Sequence, residues 1–152
     1  SSGLVDASER TEVTVSANAY DEKNSERGGC DPDGCEPRKT RDAGIDSESR
    51  WSCINTLIDQ TCRLMFEFDN AQDIVDMNIA FYKGDQRTRA FGVKTWATSG
   101  DTSTTKYTSS GETIGFETFS LGSDETTKLV IFPVSPNEDD WLSISEVSTS
   151  AS

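Results

Sequence analysis

The second half of the sequence alternates between apolar and polar side chains with a period of two, the spacing of a β-strand. In the stretch 79–96, Ile79 and Phe81 share one face of a strand. Phe91 and Val93 do the same after an intervening loop. No segment keeps a helical period over three turns, and turn-forming residues separate the alternating segments. The pattern predicts an all-β protein, an antiparallel β-sandwich of about eight short strands.

The predicted strands cover residues 11–20, 64–69, 74–81, 90–98, 113–121, 128–134 and 141–147, with a polar hairpin at 99–110. The apolar residues of 113–121 change phase near Thr118, which predicts a β-bulge. With 152 residues, the chain suits one domain. We expect a flexible leader at 1–10, the domain at 11–148 and a tail at 149–152. No signal peptide is visible, and no apolar run is long enough to cross a bilayer.

The net charge of −13 argues against general affinity for nucleic acid or anionic lipid, because the mean field repels phosphate. Half of the 14 Lys and Arg residues nevertheless lie in two segments. Screening removes most of the distant repulsion, so a local cluster of cations can still capture a carboxylate or sulfate. The loop after Phe81 is therefore a candidate for ligand contact; the alternative is a solvated tip that maintains solubility. The clustered cations are Arg38, Lys39, Arg41 and Arg50, and Lys83, Arg87 and Arg89.

Histidine is absent, which removes the commonest general base and the commonest zinc ligand. No Ser/His/Asp or Cys/His set is therefore possible. Carboxylate pairs such as Glu138 and Asp140 arise by chance in a chain with 27 acidic residues. The sequence predicts a binding module rather than an enzyme.

Four cysteines fit zinc poorly, because there is no CxxC motif and no His. Two short-range disulfides, Cys30–Cys35 and Cys53–Cys62, are the simplest pairing, although three pairings remain open. Disulfides imply an oxidising compartment, most simply outside the cell. The long polar segment 21–49 would be pinned by the first of them.

Four motifs in this order resemble those of discoidin-like (F5/8 type C) carbohydrate-binding modules, in particular the galactose-binding-like jelly rolls of family 32 that are attached to alginate and other polysaccharide lyases. The motifs are RWSC at 50–53, FEFD at 66–69, IAFYKGDQRT at 79–88 and WLSISEV at 141–147. The resemblance implies a non-catalytic module that binds a polysaccharide through loops at one end of a calcium-stabilised sandwich. The clustered cations add the hypothesis that this polysaccharide is acidic and contains uronate residues.

The resemblance also implies a structural calcium ion, with ligands drawn from Arg41, Asp42, Asp46, Ser49 and Glu146. Calcium prefers six to eight oxygen ligands, and the acidic segment 42–49 supplies several of them. Strand alternation predicts that Glu146 faces the core, where a carboxylate is costly without a cation. An ion pair between Arg50 and Glu146 is the alternative to calcium.

A sugar site beside the metal would use the charged and hydrogen-bonding residues of these loops, with Arg offering bidentate geometry to a carboxylate. Trp141 would stack on a sugar or pack in the core, whereas Trp51 is expected in the core. The main alternative function is a structural or adhesion subunit that contacts other proteins through the same loops. The predicted ligand-binding residues are Arg50, Lys83, Asp85, Gln86, Arg87, Arg89, Asn137 and Trp141.

Overall fold

The computed structural model describes residues 4–17, 40, 51–54, 63–122, 125–134 and 141–152, with the backbone alone at 52–54 and 141. These residues form nine strands and one 3₁₀ turn, Ala7–Glu9. Within these ranges, no helix has the length and apolarity needed to cross a membrane. The strands are β1 (Val5–Asp6), β2 (Val13–Ala17), β3 (Trp51–Ile54), β4 (Leu64–Phe81), β5 (Ala90–Ala97), β6 (Thr102–Thr108), β7 (Phe116–Ser120), β8 (Glu125–Pro133) and β9 (Trp141–Ala151).

The 18-residue strand β4 belongs to both layers of an antiparallel sandwich. Its first part pairs with β2 and β8, and β8 continues through β5 to β6. Its second part pairs with β7 and β9, and β9 also pairs with β1 and β3. Register shifts near Glu67/Gln72 and Ile74/Asp76 accommodate the polar residues where β4 passes from one sheet to the other.

The core lies between the two sheets and follows the predicted alternation. Phe66 on β4 is paired with Leu129 on β8, and both are fully buried. Trp51 on β3 is paired with Ile144 on β9 and is also fully buried, which confirms its predicted place in the core. The predicted antiparallel β-sandwich is confirmed.

Two predictions about the edges of the domain differ from the structure. The residues expected to form a leader and a tail pair with each other, Val5 with Ala151 and Asp6 with Ser150. Ser152 continues this contact, because its backbone N–H donates to the carbonyl oxygen of Asp73 at 3.0 Å. Pairing satisfies backbone groups that a free leader would leave to water. Both ends of the described chain are therefore part of the sheet.

Candidate functional site

The charged loop between β4 and β5, residues 82–89, is a set of tight turns. Lys83 has a φ of 53°, in the left-handed region that a residue with a Cβ rarely adopts. Its carbonyl oxygen accepts from the backbone N–H groups of Gln86 at 2.9 Å and Arg87 at 3.1 Å. The backbone N–H of Tyr82 donates to the carbonyl oxygen of Ser143 on β9 at 3.2 Å. These hydrogen bonds hold the strained turn in one conformation.

A second loop, residues 109–115, packs against the first so closely that two glycines are required. A Cβ added to Gly84 would lie 2.4 Å from the carbonyl oxygen of Thr113. Gly111 has a φ of 74°, and a Cβ there would lie 2.7 Å from the Cγ2 of Thr88. The two loops therefore form one preformed surface, which reduces the ordering cost of binding.

Arg89, the third predicted ligand-binding cation of this loop, is buried beneath the surface, and its ligand-binding role stays a prediction. It is 3% exposed, and its guanidinium Nη1 donates to the carbonyl oxygen of Thr88 at 3.3 Å. Its backbone N–H donates to Ser109 Oγ at 2.8 Å, and its carbonyl oxygen accepts from the backbone N–H of Ser109 at 2.9 Å. Arg89 therefore joins the two loops from beneath.

Two of the predicted cations flank one aromatic ring. The Nζ of Lys83 and the Cζ of Arg87 each lie 5.5 Å from the ring centroid of Tyr82, within the range of cation–π attraction. Lys83 is exposed and Arg87 is half-buried, so both charges remain accessible. Asp85 and Gln86 are exposed on the same loop. The loop thus combines two cations with hydroxyl-binding groups at one surface.

Two exposed apolar residues lie at the end of the second loop and at the start of β7. Ile114 is 49% exposed and Phe116 is 51% exposed. The β-bulge predicted near Thr118 is wrong, because β7 pairs with β4 without a register shift and turns Phe119 toward the core. Phe116 faces outward opposite Ala80, on the strand that leads into the charged loop. Its exposed ring adds an apolar surface beside the strand that leads into the charged loop.

An aromatic cluster supports the base of both loops. The ring of Phe91 lies with its centroid 5.4 Å from Phe81, 5.6 Å from Tyr107 and 5.0 Å from Phe119. Burial raises the pKa of the Tyr107 hydroxyl above its usual 10.0, and the hydrogen bond with Thr105 opposes that rise. The same hydroxyl donates to the carbonyl oxygen of Ser120, so strands β6 and β7 are tied together beside the second loop.

Most of the predicted metal and disulfide residues lie outside the described residues. This applies to Arg41, Asp42, Asp46 and Ser49, to the alternative partner Arg50, and to Asn137. The disulfides Cys30–Cys35 and Cys53–Cys62 are likewise untested, as is the stacking role of Trp141. In the part of the chain that the structure describes, no three His, Cys, Asp or Glu side chains cluster as metal ligands. These assignments stay predictions.

Glu146 is buried, as expected, but on the opposite face of the sheet from the one predicted. A register shift between Ala80 and Phe81 pairs Glu146 with Ala80 and Val147 with Ile79. The shift inserts one residue into β9, so Val147 takes the inward position that alternation assigned to Glu146. Glu146 is 7% exposed and lies on the outer side of this sheet.

A scan against protein-family models found no match, and a search of curated proteins found none. Solved structures do match. The truncated AlyQ containing CBM32 and alginate lyase domains is 22% identical, with a TM-score of 0.75 over 97% of this chain. This chain spans 33% of that protein. The CBM32 of AlyQ in complex with 4,5-unsaturated mannuronic acid is 24% identical, with a TM-score of 0.71 over 90% of this chain and 92% of that one.

Two further carbohydrate-binding modules have the same fold. A pectin-binding module is 17% identical, with a TM-score of 0.70 over 91% of each chain. The family 32 module of C. perfringens NanJ, in complex with galactose, is 13% identical, with a TM-score of 0.70 over 97% of this chain and 98% of that one. These likenesses confirm the predicted fold, a discoidin-like (F5/8 type C) sandwich of the CBM32 type.

Proposed function

We propose that this discoidin-like sandwich is a non-catalytic carbohydrate-binding module that recognises an acidic, uronate-containing polysaccharide outside the cell. The observation that supports the proposal most directly is the preformed surface of loops 82–89 and 109–115, with Lys83 and Arg87 beside one aromatic ring. In a chain of net charge −13, two accessible cations on a rigid turn favour a carboxylate ligand. Fold neighbours include modules whose ligands are an unsaturated mannuronic acid and pectin.

In the proposed complex, Arg87 would bind the uronate carboxylate with its planar guanidinium, and Lys83 would add a second positive charge. Asp85 would accept hydrogen bonds from sugar hydroxyls, and Gln86 would both accept and donate them. Phe116 is paired with Ala80 on the strand that leads into this loop, and its exposed ring would offer an apolar surface to the C–H face of a sugar. Fusion to a polysaccharide-degrading enzyme, as in AlyQ, would hold the enzyme at its substrate.

The test is to measure the affinity for oligomannuronate and oligogalacturonate in single variants of the two cations. Lys83→Gly removes the ammonium group and relieves the left-handed strain, so the melting temperature should stay equal or rise while binding weakens about tenfold. Arg87→Ala should weaken binding by a similar factor. Lys106→Ala, an exposed cation on β6, makes the same charge change away from the loops and should bind like the wild type. Equal affinity in all four proteins would exclude this site.

We also propose that a calcium ion held by Glu146 and the acidic segment stabilises the domain. The segment residues would be Arg41, through its carbonyl oxygen, with Asp42, Asp46 and Ser49. A chelator should then lower the free energy of unfolding by about 3 kcal/mol relative to saturating calcium, and Glu146→Gln should remove that dependence. A melting temperature unchanged by EDTA and by added calcium would contradict the ion and favour the pairing with Arg50.

A second candidate function is supported by the exposed apolar residues. Ile114 and Phe116 would suit contact with a protein partner in an extracellular assembly, as the alternative interpretation of the sequence proposed. The two functions differ in one measurement. A module that binds no acidic glycan, but co-purifies in a stable complex that Phe116→Asp disrupts, would be an assembly subunit.

A further inference from the structure

A groove lies at the end of β5 away from the charged loop. It has a volume of about 560 Å³ and is open to solvent. This volume falls within the roughly 300–1,000 Å³ typical of small-ligand sites. The indole of Trp96 lines it together with the polar side chains Glu67, Asp69, Thr98, Thr127 and Lys128.

The groove is formed on the outer face of the sheet by residues in register. Trp96 on β5 is paired with Lys128 on β8, and Lys128 is paired with Glu67 on β4. Because Val93 faces the core, Lys94 and Trp96 face outward by alternation. The outward side chains of Trp96, Lys128 and Glu67 form a row that crosses β5, β8 and β4.

Trp96 is held by cations and by its backbone. The Nζ of Lys128 lies 4.2 Å and the Nζ of Lys94 lies 4.8 Å from the centroid of its ring. Thr127 Oγ1 donates to the carbonyl oxygen of Trp96 at 3.2 Å. The adjoining turn is fixed as well, because the backbone N–H of Gly100 donates to the carbonyl oxygen of Ala97 at 3.0 Å. The indole is therefore part of a preformed groove.

From this arrangement we propose that the groove is a second saccharide site, for a neutral hexopyranose residue. The indole offers a flat apolar surface to the C–H face of the ring once a flexible lysine side chain, Lys94 or Lys128, moves off the face that it covers. The carboxylates of Glu67 and Asp69 accept hydrogen bonds from hydroxyl groups, and the ammonium group of Lys128 donates one. Glu67 and Asp69 balance the charges of Lys94 and Lys128, so this groove has no net positive charge to attract a uronate. The exposed and half-buried charges of the loop site, Lys83, Arg87 and Asp85, sum to a net positive charge.

The second site goes beyond the proposed function, because it lies on another surface and takes another class of sugar. From Ala90, beside the charged loop, to Trp96 the strand spans about 20 Å, so neither ligand would block the other. Simultaneous use of both sites would raise the avidity for a polysaccharide that contains acidic and neutral residues.

The experiment is a titration of the ¹⁵N-labelled protein, followed by NMR, with the methyl glycosides of glucose, galactose and mannose, and separately with methyl glucuronide. At least one neutral glycoside should shift the indole N–H signal of Trp96 and the backbone signal of Lys128. Methyl glucuronide should leave both in place. Trp96→Ala should weaken binding of that neutral glycoside at Lys128 by at least about tenfold. Trp96→Phe should weaken it less, and Lys106→Ala should leave it unchanged.

Three results would overturn the proposal: no shift at Trp96 with any neutral glycoside, an equal shift with the glucuronide, or undiminished binding at Lys128 in Trp96→Ala. If Trp96→Ala does not fold, Lys128→Ala and Trp96→Phe provide the same comparison, with loss of affinity expected in both. The backbone signals of Gly84 and Gln86 report on the loop site in the same spectra. Failure of one site is therefore distinguishable from failure of the other.

Discussion

Gly84→Ala is expected to lower the free energy of unfolding by about 3 kcal/mol, because the new methyl group has no space. It would lie 2.4 Å from the carbonyl oxygen of Thr113 and 3.1 Å from that of Phe81. Both atoms belong to the backbone, so relief requires loops 82–89 and 109–115 to separate. That separation would also move Lys83 and Arg87, and affinity for an oligouronate should fall with stability.

Gly115→Ala provides the matched control, because it adds the same methyl group to the facing loop. There the nearest atom is the side-chain Oγ1 of Thr113 at 3.4 Å, an ordinary contact. We expect its stability to change by no more than about 0.5 kcal/mol. Chemical denaturation of the two variants beside the wild type gives the comparison. Equal stability of Gly84→Ala and Gly115→Ala would mean that the two loops are not packed as described.

Phe91→Ala is expected to lower the free energy of unfolding by about 4 kcal/mol, which is a large share of the stability of a small domain. Phe91 is fully buried, and its ring contacts the rings of Phe81, Tyr107 and Phe119. Truncation leaves a cavity in an aromatic cluster whose rings belong to strands of both sheets. The cavity could close only if several strands moved. Urea denaturation measures this loss of stability. If folding remains two-state, the free energy of unfolding should depend on urea concentration with the same slope as in the wild type.

Phe116→Ala is the control for residue type, since the same ring is removed from a position that is 51% exposed. Its stability should stay within about 1 kcal/mol of the wild type. A loss at Phe91 no larger than the loss at Phe116 would contradict the assigned core. Phe116→Ala serves a second purpose, because weaker oligouronate binding without loss of stability would add that ring to the loop site.

The sandwich was predictable because each strand buries one face, and burial leaves a period of two in the sequence. Phe66, Ile79 and Val93 are all nearly or fully buried, and each sits where alternation places it. The division of β4 into two strands was an error with a physical cause. The polar residues around Asp73 resemble a turn, but backbone pairing continues through them with two register shifts.

A bulge also explains why the side of the sheet on which Glu146 lies could not be predicted. One extra residue in β9 reverses the alternation between Ile144 and Val147, and a bulge of this kind has no clear mark in the sequence. The burial of Arg89 could not be predicted for another reason. A charged residue in a polar loop is normally solvated, and only the packing of residues 109–115 against that loop buries it. The positions of Lys83, Asp85, Gln86 and Arg87 needed no such long-range information.

The central claim is that the preformed surface of loops 82–89 and 109–115 binds a uronate through its carboxylate. Calorimetric titration of the wild-type protein with an oligomannuronate and with its carboxyl-reduced counterpart tests it most directly, because the two ligands differ only at that group. Binding of the acidic oligosaccharide that is weaker at high salt and lost on reduction is the predicted result. Equal binding of both ligands, or binding of neither, would contradict it.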